Sequence, residues 1–280
     1  DIYTLDGVMH YAKGEIVDTI TTGSDGVASS KELYLGKYEI QEITAPHGMV
    51  LNGTIQTVEL TYAGQEVAIT ETAGNLYNER QKVKVSLSKV LEQNELFGIG
   101  MKGELKNITF GLYAKTDLVA GDGTVIPAGG LIEIVTFDDN GMATVSTDLP
   151  LGSYYLQERS TDEHYILDDT HYEFEFSYGS QETQVVEISV NGGAPIKNDL
   201  KYGMISGRKV DEDGHVIAGA IFGLFRNDEN EYTAENAYLT AESAQDGTFK
   251  FEKVPFGTWV VREIQPAEGF VLNEKAYPVT

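Results

Sequence analysis

The sequence predicts an all-β protein built as a string of small β-sandwiches. Three observations carry this. Runs rich in Val, Ile, Tyr, Phe and Thr alternate at period two; Asp-Gly, Asn-Gly and Gly-Gly pairs separate them; and no long stretch repeats at helical period. The text also repeats itself. Sliding the chain by 116 residues brings Asp1 onto Asp117, Asp6-Gly7 onto Asp122-Gly123, Gly36 onto Gly152, Tyr38 onto Tyr154 and Glu42 onto Glu158. In a third copy, "AIFGLF" (220–225) matches "ITFGLY" (108–113) and "FGTWVVREIQPAEGFVLN" (256–273) matches "GKYEIQEITAPHGMVLN" (36–52). The joints fall in the short polar stretches "NERQK" (78–82) and "NDLKYG" (198–203), giving modules over 1–80, 81–199 and 200–280.

Taken in chain order, the strands share one anomaly. In the first copy the row Tyr38, Ile40 ends in Glu42, and Leu76 shares a face with Asn78. The middle copy opens with "VKVSLSKV" (83–90), whose face Val83, Val85, Leu87 ends in Lys89. Its strand "GSYYLQERS" (152–160) puts Tyr154 and Leu156 on one face with Glu158, and Ile196 shares a face with Asn198. The third copy repeats the pattern, with Ile205 and Gly207 leading to Lys209, and Trp259 and Val261 leading to Glu263. The stretch "TAENAYLTAESAQ" (233–245) has room for one helical turn.

Composition narrows the functions. A chain of 280 residues with 41% apolar content supports two or three packed cores. Its 44 acidic against 20 basic residues give a net charge of −24, which argues against nucleic acid or an anionic membrane as partner. Without cysteine there is no disulfide and no thiolate metal site, so any covalent staple must use other chemistry. No apolar run is long enough to span a bilayer, and no signal peptide stands at Asp1, so the chain reads as an excerpt of a longer precursor.

Such chemistry is available where Lys, Glu and Asn meet in a core. An isolated buried charge is costly, so burial favours the neutral forms and lets the acid and amine share a proton. A neutral amine is a nucleophile. A protonated glutamate bonded to the asparagine carbonyl makes that carbon electrophilic, and attack expels ammonia to leave a Lys–Asn amide. In the absence of reaction, the same residues would form a buried ion pair.

"GKYEIQEITAPHGMVLN" and "FGTWVVREIQPAEGFVLN" resemble the glutamate-bearing strand of the collagen-adhesin B-type (Cna B-type, SpaA-like, prealbumin-like) domains of Gram-positive surface proteins and pilins. "KVDEDGHVIAGAIFGLF" (209–225) is similar to their first-strand lysine and Gly-Ala-x-Phe strand, and "NER" and "NDL" to their closing asparagine. The resemblance covers nearly the whole chain. It implies immunoglobulin-like, prealbumin-like sandwiches serving as stalk units, cross-linked by a self-formed isopeptide bond. Carried over, it makes Lys89 and Asn198 the bonded pair and Glu158 the catalytic acid. Glu42 with Asn78, and Lys209 with Glu263, are partial sets, since the first copy lacks its first strands and the third its last. The loop "QERSTDEHYILD" (157–168) departs from the family's Pro-Gly turn.

The expected role is therefore structural, extracellular and wall-anchored through regions outside this segment, with neighbouring domains of the same longer chain as partners. An adhesive module for a host protein or glycan is the alternative, and an enzyme with turnover is not expected. No cofactor or metal is implied. "GIGMKG" (98–103) fits a nucleotide-loop spacing but no helical pattern follows, and "GDG" (121–123) and "DEDG" (211–214) read as hairpin turns because calcium-loop spacing is absent. His10, His47, His164, His171 and His215 lack ligand spacing and read as surface or packing residues. The adjacent pairs Asp138-Asp139 and Asp168-Asp169 do not flank a sugar as glycosidase carboxylates do.

Overall fold

The computed structural model describes residues 1–120 and 123–280, so Gly121 and Asp122 of the "GDG" turn lie outside the described residues. The chain is nearly all β, and it divides into two compact units. The first comprises Asp1–Lys84, Asp148–Gly152 and Glu175–Glu187; the second comprises Val85–Thr147, Ser153–Phe174 and Ile188–Thr280.

The first unit contains two small antiparallel ladders, β1 (Ile2–Tyr3) with β2 (Met9–Tyr11) and β3 (Gly36–Ile40) with β4 (Gln56–Leu60). Tyr38 and Ile40 alternate inward as expected, but no strand forms around Leu76, which is exposed. The polar joint at 78–82 is held tightly. Gln81 is fully buried; its amide donates to Ser180 O (3.1 Å) and Thr183 O (2.7 Å), and its carbonyl accepts Gly179 N–H (2.9 Å). Arg80 donates to Leu149 O (2.9 Å), and Tyr178 OH donates to Met49 O (3.2 Å).

The middle sandwich opens with β5 (Lys82–Leu91), whose burial alternates so that Val85, Leu87 and Lys89 all point inward. A four-residue 3-10 turn at Glu104–Asn107 follows the "GIGMKG" loop, too short for a helix-based phosphate site. Then come β6 (Thr109–Ala114), β7 (Leu118–Val119), β8 (Val125–Ile126), β9 (Leu131–Thr136), β10 (Met142–Thr144), β11 (Gly152–Ser160), β12 (Tyr172–Phe176), β13 (Val185–Ser189) and β14 (Ile196–Asn198). One sheet runs β10-β5-β13, with β14 also paired to β5; the other runs β12-β11-β6-β9. Phe110, Leu112, Tyr154 and Leu156 are completely buried between them.

The third copy supplies β15 (Tyr202–Arg208), β16 (Ile221–Arg226), β17 (Leu239–Glu242), β18 (Thr248–Pro255), β19 (Trp259–Gln265) and β20 (Tyr277–Val279). The β17-β16-β19-β20 sheet and the β15-β18 pair enclose Phe222, Leu224, Phe251, Trp259 and Val261. Where one helical turn is expected, a single i to i+4 bond, Ala237 N–H to Thr233 O (3.1 Å), closes a turn, and β17 follows at once because Leu239 and Ala241 pack on this core. "DEDG" is a turn closed by Asp211, whose carboxylate accepts His215 N–H (2.8 Å). Phe97, from the loop after β5, packs on this core with its ring 5.2 Å from Trp259, and also on the small cluster of Ile99, Tyr165 and Leu200.

Candidate functional site

Lys89 and Asn198 sit on neighbouring parallel strands of one sheet. In the β5–β14 ladder Ile196 pairs with Lys89 and Asn198 with Leu91, so period two turns both side chains to the same inner face. Glu158 comes from β11 in the facing sheet, where it pairs with Phe110. The three residues are 1–3% exposed.

The backbone of Lys89 is fixed by the turn at 138–141. Lys89 N–H donates to Gly141 O (2.7 Å), and Gly141 N–H donates to Asp138 O (3.0 Å). Gly141 has φ +74°, and a Cβ there would run into the Lys89 carbonyl, so both conformation and space call for glycine. The third copy repeats the device, with Lys209 N–H donating to Gly247 O (2.8 Å).

Inside the site, Lys89 Nζ donates to Asn198 Oδ1 and lies 3.3 Å from Glu158 Oε1. Asn198 Nδ2 faces Glu158 Oε1 (3.0 Å) and Oε2 (2.9 Å), Thr161 Oγ1 (3.0 Å) and Ile166 O (3.0 Å). Phe110 lies beneath the ammonium, its ring centre 5.3 Å from Nζ. Burial pushes the Lys89 amine below the ordinary lysine range, against the opposing pull of Glu158 and Asp168. Asp168 is held below the usual carboxylate range although burial works the other way, because Thr170, Tyr172 and Lys89 stabilise its charge. Its Oδ2 accepts Tyr172 OH at 2.5 Å.

The amide points opposite to the sequence expectation, with Nδ2 rather than the carbonyl toward Glu158. The ammonium, which can only donate, takes the carbonyl oxygen, and the carboxylate takes the N–H groups. Lys89 therefore polarises the carbonyl, and Glu158 stands at the amide nitrogen.

The other copies assemble what they contain. In the first, Asn78 Nδ2 donates to Glu42 Oε2 (2.6 Å) and to Val50 O (3.0 Å), reproducing the contacts of Asn198 with Glu158 and Ile166. In the third, Lys209 Nζ lies 3.0 Å from Glu263 Oε1 and donates to Oε2 (3.1 Å). One contact is common to all three copies and escaped the sequence reading. Glu42, Glu158 and Glu263 each accept, at 2.7 Å, the backbone N–H of the residue ten positions on, which is Asn52, Asp168 and Asn273. The signal was the constant spacing from glutamate to the polar residue ending "MVLN", "YILD" and "FVLN".

The histidines lie elsewhere, in ring stacks (His10 on Tyr34, His171 on Tyr155), beside Tyr178 (His47), or against aspartates (His164 with Asp162, His215 with Asp211). No helix among the described residues is long and apolar enough to cross a membrane.

Comparison with known proteins gives the fold a family. The model of the SpaA prealbumin-like fold domain matches residues 2–73, 99–192 and 203–280. Among solved structures, the Bacillus anthracis TIE protein superposes with a TM-score of 0.62 at 21% identity, over 93% of this chain and 42% of that one, so the chain spans less than half of that protein's length. A streptococcal ancillary pilin (20% identity, TM-score 0.30, 93% of this chain and 76% of that one) and a D312A form of BcpA, the major pilin subunit of Bacillus cereus (15%, 0.37, 99% and 88%), also match. No curated protein matches. With the family model covering most of the sequence and a β-sandwich frame beneath it, the chain belongs to the SpaA prealbumin-like fold domain family.

Proposed function

We propose that the chain is a stalk segment of a Gram-positive cell-surface adhesin or pilus-like protein, built of modules at 1–80, 81–199 and 200–280 and stapled by an amide between Lys89 and Asn198. The observation that carries this reading is the meeting of a buried amine, a buried carboxamide and a buried carboxylate on strands next to one another and across the sandwich. Family membership supports the architectural role.

In the proposed reaction the Lys89 ammonium gives a proton to Glu158, and the neutral Nζ attacks Asn198 Cγ. Glu158 then returns that proton to Nδ2 and takes up the second proton of the attacking Nζ, the Cγ–Nδ2 bond breaks, and ammonia leaves as the neutral Nζ–Cγ amide forms. The balance is amine plus carboxamide to substituted amide plus ammonia. Each chain reacts once, so this is not turnover. Glu42 with Asn78, and Glu263 with Lys209, are partial sets of the same constellation.

The role is mechanical. Chain enters this module along β5 and leaves after β14, and tension applied at these ends would pass through the amide, bypassing the residues between Lys89 and Asn198. The segment would work outside the cell, anchored to the wall through regions outside it, with neighbouring domains as partners. Intact mass of the purified chain beside Glu158→Ala tests the chemistry. A deficit of one ammonia in the wild type and none in the variant is the expected result; no deficit in the wild type refutes the bond.

A further inference from the structure

The leaving nitrogen sits among more oxygens than a carboxamide can use. Asn198 Nδ2 has two hydrogens, yet Glu158 Oε1, Glu158 Oε2, Thr161 Oγ1 and Ile166 O all lie within 3.0 Å. A nitrogen that has become tetrahedral and taken up a proton carries three hydrogens, and three separate groups, the Glu158 carboxyl, the Thr161 hydroxyl and the Ile166 carbonyl, stand ready for them. The cage therefore matches the departing amine better than the planar amide, which is the condition for speeding the step.

The first copy lacks the third group. Among the described residues, Asn78 Nδ2 reaches only the counterparts of Glu158 and Ile166, namely Glu42 Oε2 and Val50 O. Three residues after the glutamate stands Ala45 in the first copy and Pro266 in the third, while the complete site has Thr161. The departure of "QERSTDEHYILD" from the other two copies thus puts a hydroxyl on the reacting atom. Thr161 is half-buried, at the edge of an otherwise closed site.

We propose that Thr161 takes part in amide formation by accepting a hydrogen bond from the departing nitrogen of Asn198, and so speeds loss of ammonia. The proposal rests on the Lys89–Asn198 reading. The test follows ammonia loss by intact mass in full-length chains made by cell-free synthesis and quenched in denaturant at successive times, for wild type, Thr161→Ser, Thr161→Val and Thr161→Ala. A hydrogen bond to a charged group is worth enough that Thr161→Val and Thr161→Ala should react roughly 10- to 100-fold more slowly. Thr161→Ser should track the wild type, and every variant should end with the same deficit of one ammonia from its own calculated mass, at a similar melting temperature. Rescue by serine separates this role from packing, since serine keeps the hydroxyl and loses the methyl. Equal rates for wild type and the valine variant, or a serine variant as slow as alanine, would overturn the role of Thr161 and leave the bond intact. A wild type that never loses ammonia would instead overturn the bond itself. If the valine chain fails to fold, the alanine and serine pair decides alone.

Discussion

The double replacement Lys89→Met with Glu158→Gln isolates what the proposed Lys89–Asn198 cross-link would contribute. Glu158→Gln alone would leave the Lys89 ammonium buried without its carboxylate, a penalty of roughly 3–5 kcal/mol that has nothing to do with a covalent bond. Replacing both removes the charges together and leaves the introduced glutamine amide able to bond to the amide of Asn198. The remaining loss is chain entropy. Lys89 and Asn198 are 109 residues apart, and closing such a loop lowers the entropy of the unfolded chain by about 16 cal/mol/K, or about 4.8 kcal/mol at 25 °C, if the relation for disulfides carries over. For a domain of this size each kcal/mol moves the melting temperature by roughly 3–6 °C, so the double variant should melt about 15–30 °C below the wild type. Differential scanning calorimetry with intact mass on the same samples makes the measurement. A wild type lacking one ammonia that melts within a few degrees of the double variant would refute the entropic argument.

Three further outcomes follow from the same geometry. Gly141→Ala places a Cβ against the Lys89 carbonyl at a left-handed φ, and should cost about 2–4 kcal/mol in thermal unfolding and delay ammonia loss by displacing Lys89. Asn198→Ala keeps Lys89 as a free amine whose folded pKa is lowered from the unfolded 10.5; the unfolded chain then binds more protons than the fold, so stability of this variant should rise with pH until 10.5 is passed, as urea titrations at a series of pH values would record. Glu263→Ala strands Lys209 and the Asn273 N–H and should destabilise the third copy by about 1–3 kcal/mol in denaturant unfolding, with the mass deficit unchanged.

The three residues of the proposed amide site were legible because strands alternate strictly. A lysine, a glutamate and an asparagine that fall in register with Leu87, Leu156 and Ile196 must point where those residues point, and they do. Residues acting from loops were not. Thr161 lies just past the end of β11, and Asp168 sits in the turn between β11 and β12, where it accepts the hydroxyl of Tyr172 at the start of β12. Phe97 reads as a loop residue, yet it fills the space between Trp259 and the cluster of Ile99, Tyr165 and Leu200, because loop direction is set by tertiary packing and leaves no period in the text. Periodicity also overreached in the first copy. Leu76 and Asn78 alternate correctly on paper, but no strand forms there, and Asn78 finds Glu42 from irregular chain. The orientation of the Asn198 amide depended on donor and acceptor counts around it, which pattern alone does not supply.

The carboxylate on the apolar face now has two separable reasons to be there. The proposed proton transfer would explain it only where lysine and asparagine both meet it, which among these copies is the middle one. Yet Glu42 and Glu263 occupy the same place without the full set, and each makes the same 2.7 Å bond to the N–H ten residues on as Glu158 does. That bond closes the loop leaving the strand, satisfying a backbone donor that would otherwise be lost near the core, where an unmade hydrogen bond costs about 1–3 kcal/mol. A residue held in place for the fold already brings a buried carboxylate to a fixed point facing the first strand. Lysine on that strand and asparagine on the last then need only arrive within reach of it. On this argument the acid belongs first to the sandwich and second to the chemistry, so removing it should be felt in all three copies, and removing the lysine or the asparagine should abolish a covalent product only in the middle one.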